Sequence, residues 1–477
     1  MAVEIDRSKC IYCGACVATC PHLALRLNEV YIETFDDKCV SCGLCIKACP
    51  MGAIKFKKWG FCMDINYDYP KIHDSYDVVI VGAGPAGALA AREASKKGAS
   101  VLVLDRRKEL GAPVRCGEGL GAKYIELFHL NLSPNAVSSN INGARVIAPN
   151  LKDDIIIKTK ETKGYVLDRK VFDKDLAKDA ARAGAQVVSK CDVYDVIKEG
   201  DKIVGVRYII NGQRKEVRSK VVIACDGAES VIARLAGMKD ATSTLYDTDY
   251  GVEYEMVNVK LQDNGKDFSD LIEIFFSNEL SPRGYTWIFP KGHDVANVGV
   301  GIGGLHTPNA VHYLNEFIVD SRIKHRFEGA SIVSLKGGAI PVGAPVSEFV
   351  KNGFMVVGTA AHQVDPIHGG GIGLAMNAGR IAGEVAGDAV KDNKFDAKTL
   401  EAYKTQWYGE EWDKFNKRLM LRKVLEKLND DDLNHILSTL DQSDIDAVLC
   451  GKFMNSITKV TLKRPQLLKV LTVLMNM

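Results

Sequence analysis

Residues 76–105 read YDVVIVGAGPAGALAAREASKKGASVLVLD, and this stretch decides the fold. Residues 76–81 form an apolar, β-branched run, the mark of a strand buried on both faces. The turn Gly82-Ala83-Gly84-Pro85-Ala86-Gly87 follows, then a helical pattern, then a second short strand closing on Asp105 and Arg106. Strand, turn, helix, strand and terminal acid together make the context of a dinucleotide site. Gly82 permits the tight turn, Gly84 the close approach of a pyrophosphate, and Gly87 the packing of helix on strand. The helix N-terminus, opened by Pro85 and Ala86, offers free N–H groups and a positive dipole end to the phosphates. Asp105 has the spacing to hydrogen-bond a ribose hydroxyl.

Two later segments favour FAD over NAD. Residues 221–234, VVIACDGAESVIAR, are a strand ending in Asp226-Gly227. Residues 354–373, FMVVGTAAHQVDPIHGGGIG, run from a strand through Thr359 and Pro366 to Gly369-Gly370-Gly371 and a helix opening at Ile372. This second glycine-rich helix N-terminus would set a dipole end beside a flavin pyrimidine ring, where negative charge develops on reduction.

Upstream, cysteine dominates. Eight of 13 cysteines lie in the first fifty residues, in two copies of C-x-x-C-x-x-C-x-x-x-C-P. Lys9, Gly14 and Ala24 recur as Lys38, Gly43 and Ala53, so the segment is an internal duplication. Three thiolates two residues apart wrap one cubane cluster, and the fourth reaches the other cluster. The spacing therefore assigns Cys10, Cys13, Cys16 and Cys49 to one [4Fe–4S] cluster and Cys39, Cys42, Cys45 and Cys20 to a second. Zinc usually takes cysteines in pairs, and disulfides are unexpected without a secretion signal. Of the remaining Cys62, Cys116, Cys191, Cys225 and Cys450, most are expected to be buried apolar residues.

Composition sets the frame. The 477 residues suggest two to four domains. With 46% apolar and 26% charged residues the chain is an ordinary globular one, and disordered and fibrous classes fall away. The net charge of +2 gives no reason to expect a nucleic-acid partner. No run reaches about 18 apolar residues, so no transmembrane helix is expected. MAVEIDRSKC lacks a signal-peptide core, and the expected location is the cytoplasm.

From residue 75 to 395 the chain resembles the flavoprotein fold of p-hydroxybenzoate hydroxylase and its relatives, and within it the geranylgeranyl reductases. The resemblance rests on Gly82–Gly87, Asp105, Asp226-Gly227 and the late glycine segment, and most specifically on residues 282–290, Pro-Arg-Gly-Tyr-Thr-Trp-Ile-Phe-Pro, which match P-x-x-Y-x-W-x-F-P. Arg115-Cys116-Gly117-Glu118-Gly119 matches the family's cysteine–glycine segment, and Arg169 with Phe172, Leu176, Ala180 and Gly184 matches its following helix. The resemblance implies that Arg106, Arg115, Cys116, Gly117 and Arg169 join the FAD site. Thr359 stands where the superfamily usually has Asp, and its hydroxyl keeps hydrogen-bonding capacity.

Four β-like runs over residues 250–303 suggest an antiparallel sheet roofing an apolar pocket over the flavin. Tyr285, Trp287 and Phe289 alternate along one strand and share a face. An aromatic stripe alone is ordinary core; framed by Pro282 and Pro290 as in the family, it reads as the wall of a substrate pocket. Residues 396–477 have helical spacing, and the tail KRPQLLKVLTVLMNM is apolar and basic, suited to packing on the core or to peripheral contact with a membrane surface.

The expected architecture is a small α+β ferredoxin domain (1–58), a linker (59–75), a Rossmann-like α/β FAD domain in two parts (76–240 and 351–395) around an antiparallel substrate domain (241–350), and a helical C-terminal region (396–477). The resemblance implies an enzyme saturating digeranylgeranylglycerophospholipid chains with electrons passed from a low-potential donor, such as a reduced ferredoxin, through the clusters to FAD. An isolated alkene is electron-rich, so a positioned acid is needed; Tyr285, Cys116, His362 and His368 are the candidates. The alternative is a carrier resembling electron-transfer flavoprotein–quinone oxidoreductase. The two-cluster module and the 282–290 motif argue against it, and oxygen-sensitive clusters argue against a flavin monooxygenase. A non-enzymatic electron carrier has no use for the aromatic pocket.

Overall fold

The computed structural model describes residues 3–28, 31–57, 71–304, 309–444 and 454–467. In the N-terminal module Val3–Ile5 pairs antiparallel with Ile54–Phe56, and two short helices, Ala15–Thr19 and Leu44–Ala48, carry the third cysteine of each triplet, Cys16 and Cys45. Gly14 and Gly43 precede those helices at φ of 76° and 73°, a left-handed conformation that only glycine adopts without strain. The repeat seen in the sequence is thus a repeat of structure.

Strand β1 (Ser75–Val81) buries Val78, Val79 and Ile80 completely. Helix α1 (Pro85–Lys96) follows, with Pro at its start where a missing N–H costs nothing. Strand β2 (Val101–Leu104) lies parallel to β1. The chain then leaves this layer: β3 (Gly143–Ile147) and β4 (Asp154–Lys158) form an antiparallel pair in a second sheet. It returns through α2 (Arg169–Arg182), whose first N–H groups are capped by Asp168. Strands β5 (Gln186–Val188), β6 (Cys191–Glu199), β7 (Lys202–Ile210) and β8 (Gln213–Ala224) complete most of the first sheet, in the order β5-β2-β1-β8-β7-β6. Its β5, β2, β1 and β8 pairings are parallel; those of β6 and β7 are antiparallel.

The second sheet holds β9 (Thr248–Val257), β10 (Leu271–Phe275), β11 (Tyr285–Pro290), β12 (Ala296–Gly303) and β13 (Ser331–Pro341), in the order β4-β3-β10-β11-β12-β9-β13. Every pairing is antiparallel except β3 with β10. Two of its strands come from residues 143–158, ahead of the boundary at 241 expected from the sequence. One face packs on a helix, Ala310–Val319, through Ile288, Val298, Val300, Leu314 and Phe317. The other face carries Tyr285, Trp287 and Phe289.

The chain then re-enters the first sheet at β14 (Phe354–Val356), parallel to β8, and runs into α3 (Ile372–Asp392). Helices α3 and α1 cross at backbone distance: a Cβ on Gly379 would fall 2.1 Å from the Ala86 carbonyl oxygen. Helix α4 (Ala402–Leu425) buries Tyr403 and Trp407 against Phe349, and α5 (Asp430–Thr439) starts at an Asn429–Asp432 capping box. Leu467, early in the basic tail, is buried against Val424, Leu428, Leu433 and Val460; residues 468–477 lie outside the described residues. So do Cys62, Cys450 and most of the expected linker, whereas Cys191 and Cys225 are buried as expected. Among the described residues no helix is long and apolar enough to cross a membrane.

Candidate active site and cluster cavities

The dinucleotide cradle is built by β1, α1 and the end of β8. Gly82 sits at φ 99°, and a Cβ there would fall 2.3 Å from the Cys225 carbonyl oxygen. A Cβ on Gly87 would fall 1.9 Å from the Gly82 oxygen, whereas one on Gly84 would meet nothing within 4 Å. Gly82 and Gly87 are therefore spent on packing, and Gly84 faces open space at a helix N-terminus that no side chain caps. Asp226 lies against Gly82, and its Oδ1 is buried without a hydrogen-bond partner while Oδ2 accepts from the Ile232 N–H. An open phosphate cradle beside an orphaned buried acceptor fits FAD. Gly87→Ala is expected to abolish FAD retention, read as loss of the flavin absorbance of the purified protein; a yellow variant with full occupancy would contradict the cradle.

Asp105 closes β2 as expected, but its carboxylate is already full. It accepts from the Ala83 N–H (2.7 Å) and three times from Arg107, through N–H, Nε and Nη2 at 2.8, 2.9 and 2.8 Å. Four bonds exhaust a carboxylate's about four acceptor sites. A ribose hydroxyl at Asp105 therefore requires Arg107 to move. Arg106 and Arg115 converge on Glu229, at 2.7 and 2.5 Å.

Between the second sheet and the N-terminus of α3 lies a cavity of about 520 Å³. Tyr285, Trp287 and Phe289 line it, with Ile272 and Ile274 from the next strand, Phe276 just past its end, and Leu425 and Leu433 from the C-terminal helices. Cys116, Gly117, Pro366, Gly369, Gly370, Gly371 and Ile372 line it too, so the cysteine–glycine loop, the aromatic strand and the late glycine segment meet in one place. Thr359 stands beside Gly371, its Oγ1 3.7 Å from where a Cβ would be. The aromatic stripe is seated by two glycines: Tyr285 and Trp287 pair across to Gly301 and Gly299, and a Cβ on Gly299 would lie 2.3 Å from the indole ring. One end of the cavity is polar, with Asp249, Arg283, Arg422, Glu426 and Asn278. Burial pushes Asp249 up to about 6, against the pull of Arg422 and Arg283.

The four candidate acids separate. His362 does not line the cavity; it is buried against the Ser243 hydroxyl at 3.2 Å. His368 lines it, but its two ring nitrogens are engaged by Asp365 (3.1 Å) and the Gly370 N–H (3.1 Å). Tyr285 donates its hydroxyl proton to the His368 carbonyl at 2.6 Å, and burial raises its pKa further. Cys116 keeps a thiol: burial pushes it up, opposed by the neighbouring Arg169 guanidinium. Arg169 is itself held by Asp173, at 2.6 and 3.0 Å.

Beneath Cys116 lies a buried charged cluster that the sequence reading missed. Glu118 Oε2 accepts from Lys291, Lys336 and Asn297, each at 2.8 Å, and Oε1 accepts from the Arg169 N–H at 2.9 Å. Lys336 also contacts Glu253 at 3.2 Å and Glu255 at 3.0 Å. Burial opposes charge on Glu118, yet the two lysines outweigh it and hold the carboxyl down to about 2. The only sequence signal was the alternation of Glu253 and Glu255 along a strand, which puts both on one face.

In the N-terminal module Cys10, Cys13, Cys16 and Cys49 line one cavity, and Cys20, Cys39, Cys42 and Cys45 line another. The fourth cysteine of each motif has crossed over. The first cavity's loop docks on the flavoprotein, where Lys190 and Lys108 donate to the carbonyls of Cys10 (2.8 Å) and Ile11 (3.4 Å).

Comparison with known proteins agrees with this geometry. A family described as FAD binding domain matches residues 75–383, and a 4Fe-4S dicluster domain matches residues 3–56. The digeranylgeranylglycerophospholipid reductase of Methanocaldococcus jannaschii is 40% identical over 84% of this chain and 98% of its own length. That of Methanosarcina acetivorans is 36% identical over 82% and 94%. A solved structure from Thermoplasma acidophilum, described as geranylgeranyl bacteriochlorophyll reductase-like, superposes with a TM-score of 0.76 at 31% identity, covering 84% of this chain and 99% of its own. A flavin-dependent brominase, at 23% identity and a TM-score of 0.61, shares the fold alone.

Proposed function

This chain belongs to the family of the digeranylgeranylglycerophospholipid reductases, a flavin-dependent oxidoreductase with two [4Fe–4S] clusters, and on that premise we propose that it saturates the isoprenoid chains of a digeranylgeranylglycerophospholipid with electrons drawn through those clusters from a low-potential donor. The observation that carries the reading is the cavity: an apolar chamber of about 520 Å³ walled by Tyr285, Trp287 and Phe289 and open to the α3 N-terminus. When bound, the clusters supply single electrons and FAD supplies a hydride.

The chain's own residues do the rest. The α1 N-terminus, Gly84 and Asp226 hold the dinucleotide, and the α3 N-terminus with Thr359 holds the flavin end. Apolar walls exclude water from the alkene. Cys116 holds the proton at Sγ and gives it to the alkene carbon; Arg169 stabilises the thiolate left behind. Tyr285, fixed to the His368 carbonyl, shapes the wall. The polar end at Arg283 and Arg422 suits the lipid's headgroup.

The test is anaerobic incubation of chemically reduced protein with digeranylgeranylglycerophospholipid, followed by lipid mass. Stepwise gain of one hydrogen pair per double bond is expected. Unchanged lipid with rapid oxidation by quinone would instead support a quinone-directed electron carrier.

A further inference from the structure

The lipid has several double bonds, so a proton donor at the site must be recharged between reductions. We propose that Glu253 is the positioning residue that recharges it, returning a proton to Cys116 after each alkene is protonated. This rests on the reductase reading above.

Glu253 lies beside the loop that carries the thiol, close enough for its charge to bear on Cys116. Its carboxyl is buried, 3% exposed, on the sheet face beneath the Arg115–Gly119 loop. Oε2 accepts from the Trp287 indole N–H at 2.9 Å and lies 3.4 Å from where a Cβ on Gly117 would be. Gly117 is the residue after Cys116, and because it has no side chain the carboxyl approaches the loop closely. Oε1 faces Lys336 at 3.2 Å and has no other partner, so this one shared lysine is all that opposes a proton there.

Two carboxylates share this cluster, and their surroundings divide the labour. Glu118 takes charge-assisted bonds from Lys291, Lys336 and Asn297 and is a fixed anion. Glu253 has only Lys336 opposite, a lysine already shared with Glu118 and Glu255. Burial pushes Glu253 up to about 7, against the pull of Lys336 and the Trp287 bond. Groups pushed apart in this way mark a proton carrier beside a permanent charge. The groups facing Glu253 are Cys116 and Glu118 from the loop, Trp287 from β11, Asn297 from β12, Lys336 from β13, Glu255 on its own strand, and beyond them Lys291 and the Arg169–Asp173 pair.

The proton balance is direct. The Cys116 S–H bond breaks as a C–H bond forms on the alkene, and the hydride that completes the addition comes with the flavin. The Glu253 O–H bond then breaks as S–H reforms, and the carboxylate takes its next proton from water.

Glu253→Gln tests this in the holoenzyme. In the first turnover of pre-reduced enzyme the thiol is already charged, so Glu253→Gln should reduce one double bond within about twofold of the wild-type rate and later ones at least tenfold more slowly. Equal slowing of first and later reductions would overturn the relay, because a structural defect acts on both. Without lipid, the infrared difference between wild type and Glu253→Gln should contain a protonated-carboxyl band that fades as pH rises through about 7. Alkylation of Cys116 should shift to lower pH in that variant, since a facing negative charge is gone. A difference spectrum without that band would also overturn the proposal. If band and alkylation behave as expected but the wild type leaves lipid unreduced, the reductase reading fails while the proton pair stands.

Discussion

Glu118→Ala is expected to lower the unfolding free energy by about 3–5 kcal/mol, the usual cost of stripping one partner from a buried ion cluster. Lys291 and Lys336 would each lose a 2.8 Å contact and stay buried. Denaturant titration of the purified holoenzyme measures the loss, and an unchanged midpoint would contradict the cluster. The same carboxylate sets an acid limit. Its folded value of about 2 lies below the ordinary 4.5, so the folded state binds fewer protons in that window. Its stabilisation is complete above about pH 4.5 and drains away as pH falls toward 2. The wild-type melting temperature should therefore fall faster across that range than that of Glu118→Gln.

The second large effect separates the clusters. Cys49→Ala is expected to remove the same cluster as Cys13→Ala, although Cys49 belongs to the other motif, because Cys49 lines the cavity with Cys10, Cys13 and Cys16. Each variant should lose about four of about eight irons per chain, and their residual spectra should coincide. Cys20→Ala should pair with Cys42→Ala by the same argument. If Cys49→Ala resembles Cys42→Ala instead, the crossed arrangement is wrong. Loss of either cluster should slow flavin reduction by a ferredoxin-type donor while leaving reduction by a small chemical reductant intact.

What was legible in the sequence was local or periodic. Residues 76–105 hold a whole strand–turn–helix–strand unit, so the cradle could be read in one stretch. The cysteine crossing followed from spacing alone, and the shared face of Tyr285, Trp287 and Phe289 from the two-residue period of a strand. Long-range assembly was not legible. The cluster around Glu118 gathers residues 253, 255, 291, 297 and 336, and each in isolation is an unremarked charge or amide on a strand or loop. Residues 143–158 read as part of the first domain, yet they pair into the second sheet because β10 offers its free edge to β3. Asp105 stood at the right spacing for a ribose, but spacing says nothing of Arg107, which fills it. The roles of Gly299 and Gly301 appear only when β12 is laid beside the aromatic strand.

The central claim is that a prenyl lipid, bound in the aromatic cavity, takes its hydrogens from this flavoprotein. A single-turnover measurement tests it most directly: enzyme reduced anaerobically, freed of excess reductant, and mixed rapidly with digeranylgeranylglycerophospholipid while flavin absorbance and lipid mass are followed together. The account predicts that flavin and clusters are oxidised together as the lipid gains hydrogen, two electrons leaving the protein per double bond saturated. A flavin that stays reduced in the presence of lipid but is oxidised at once by quinone would contradict it.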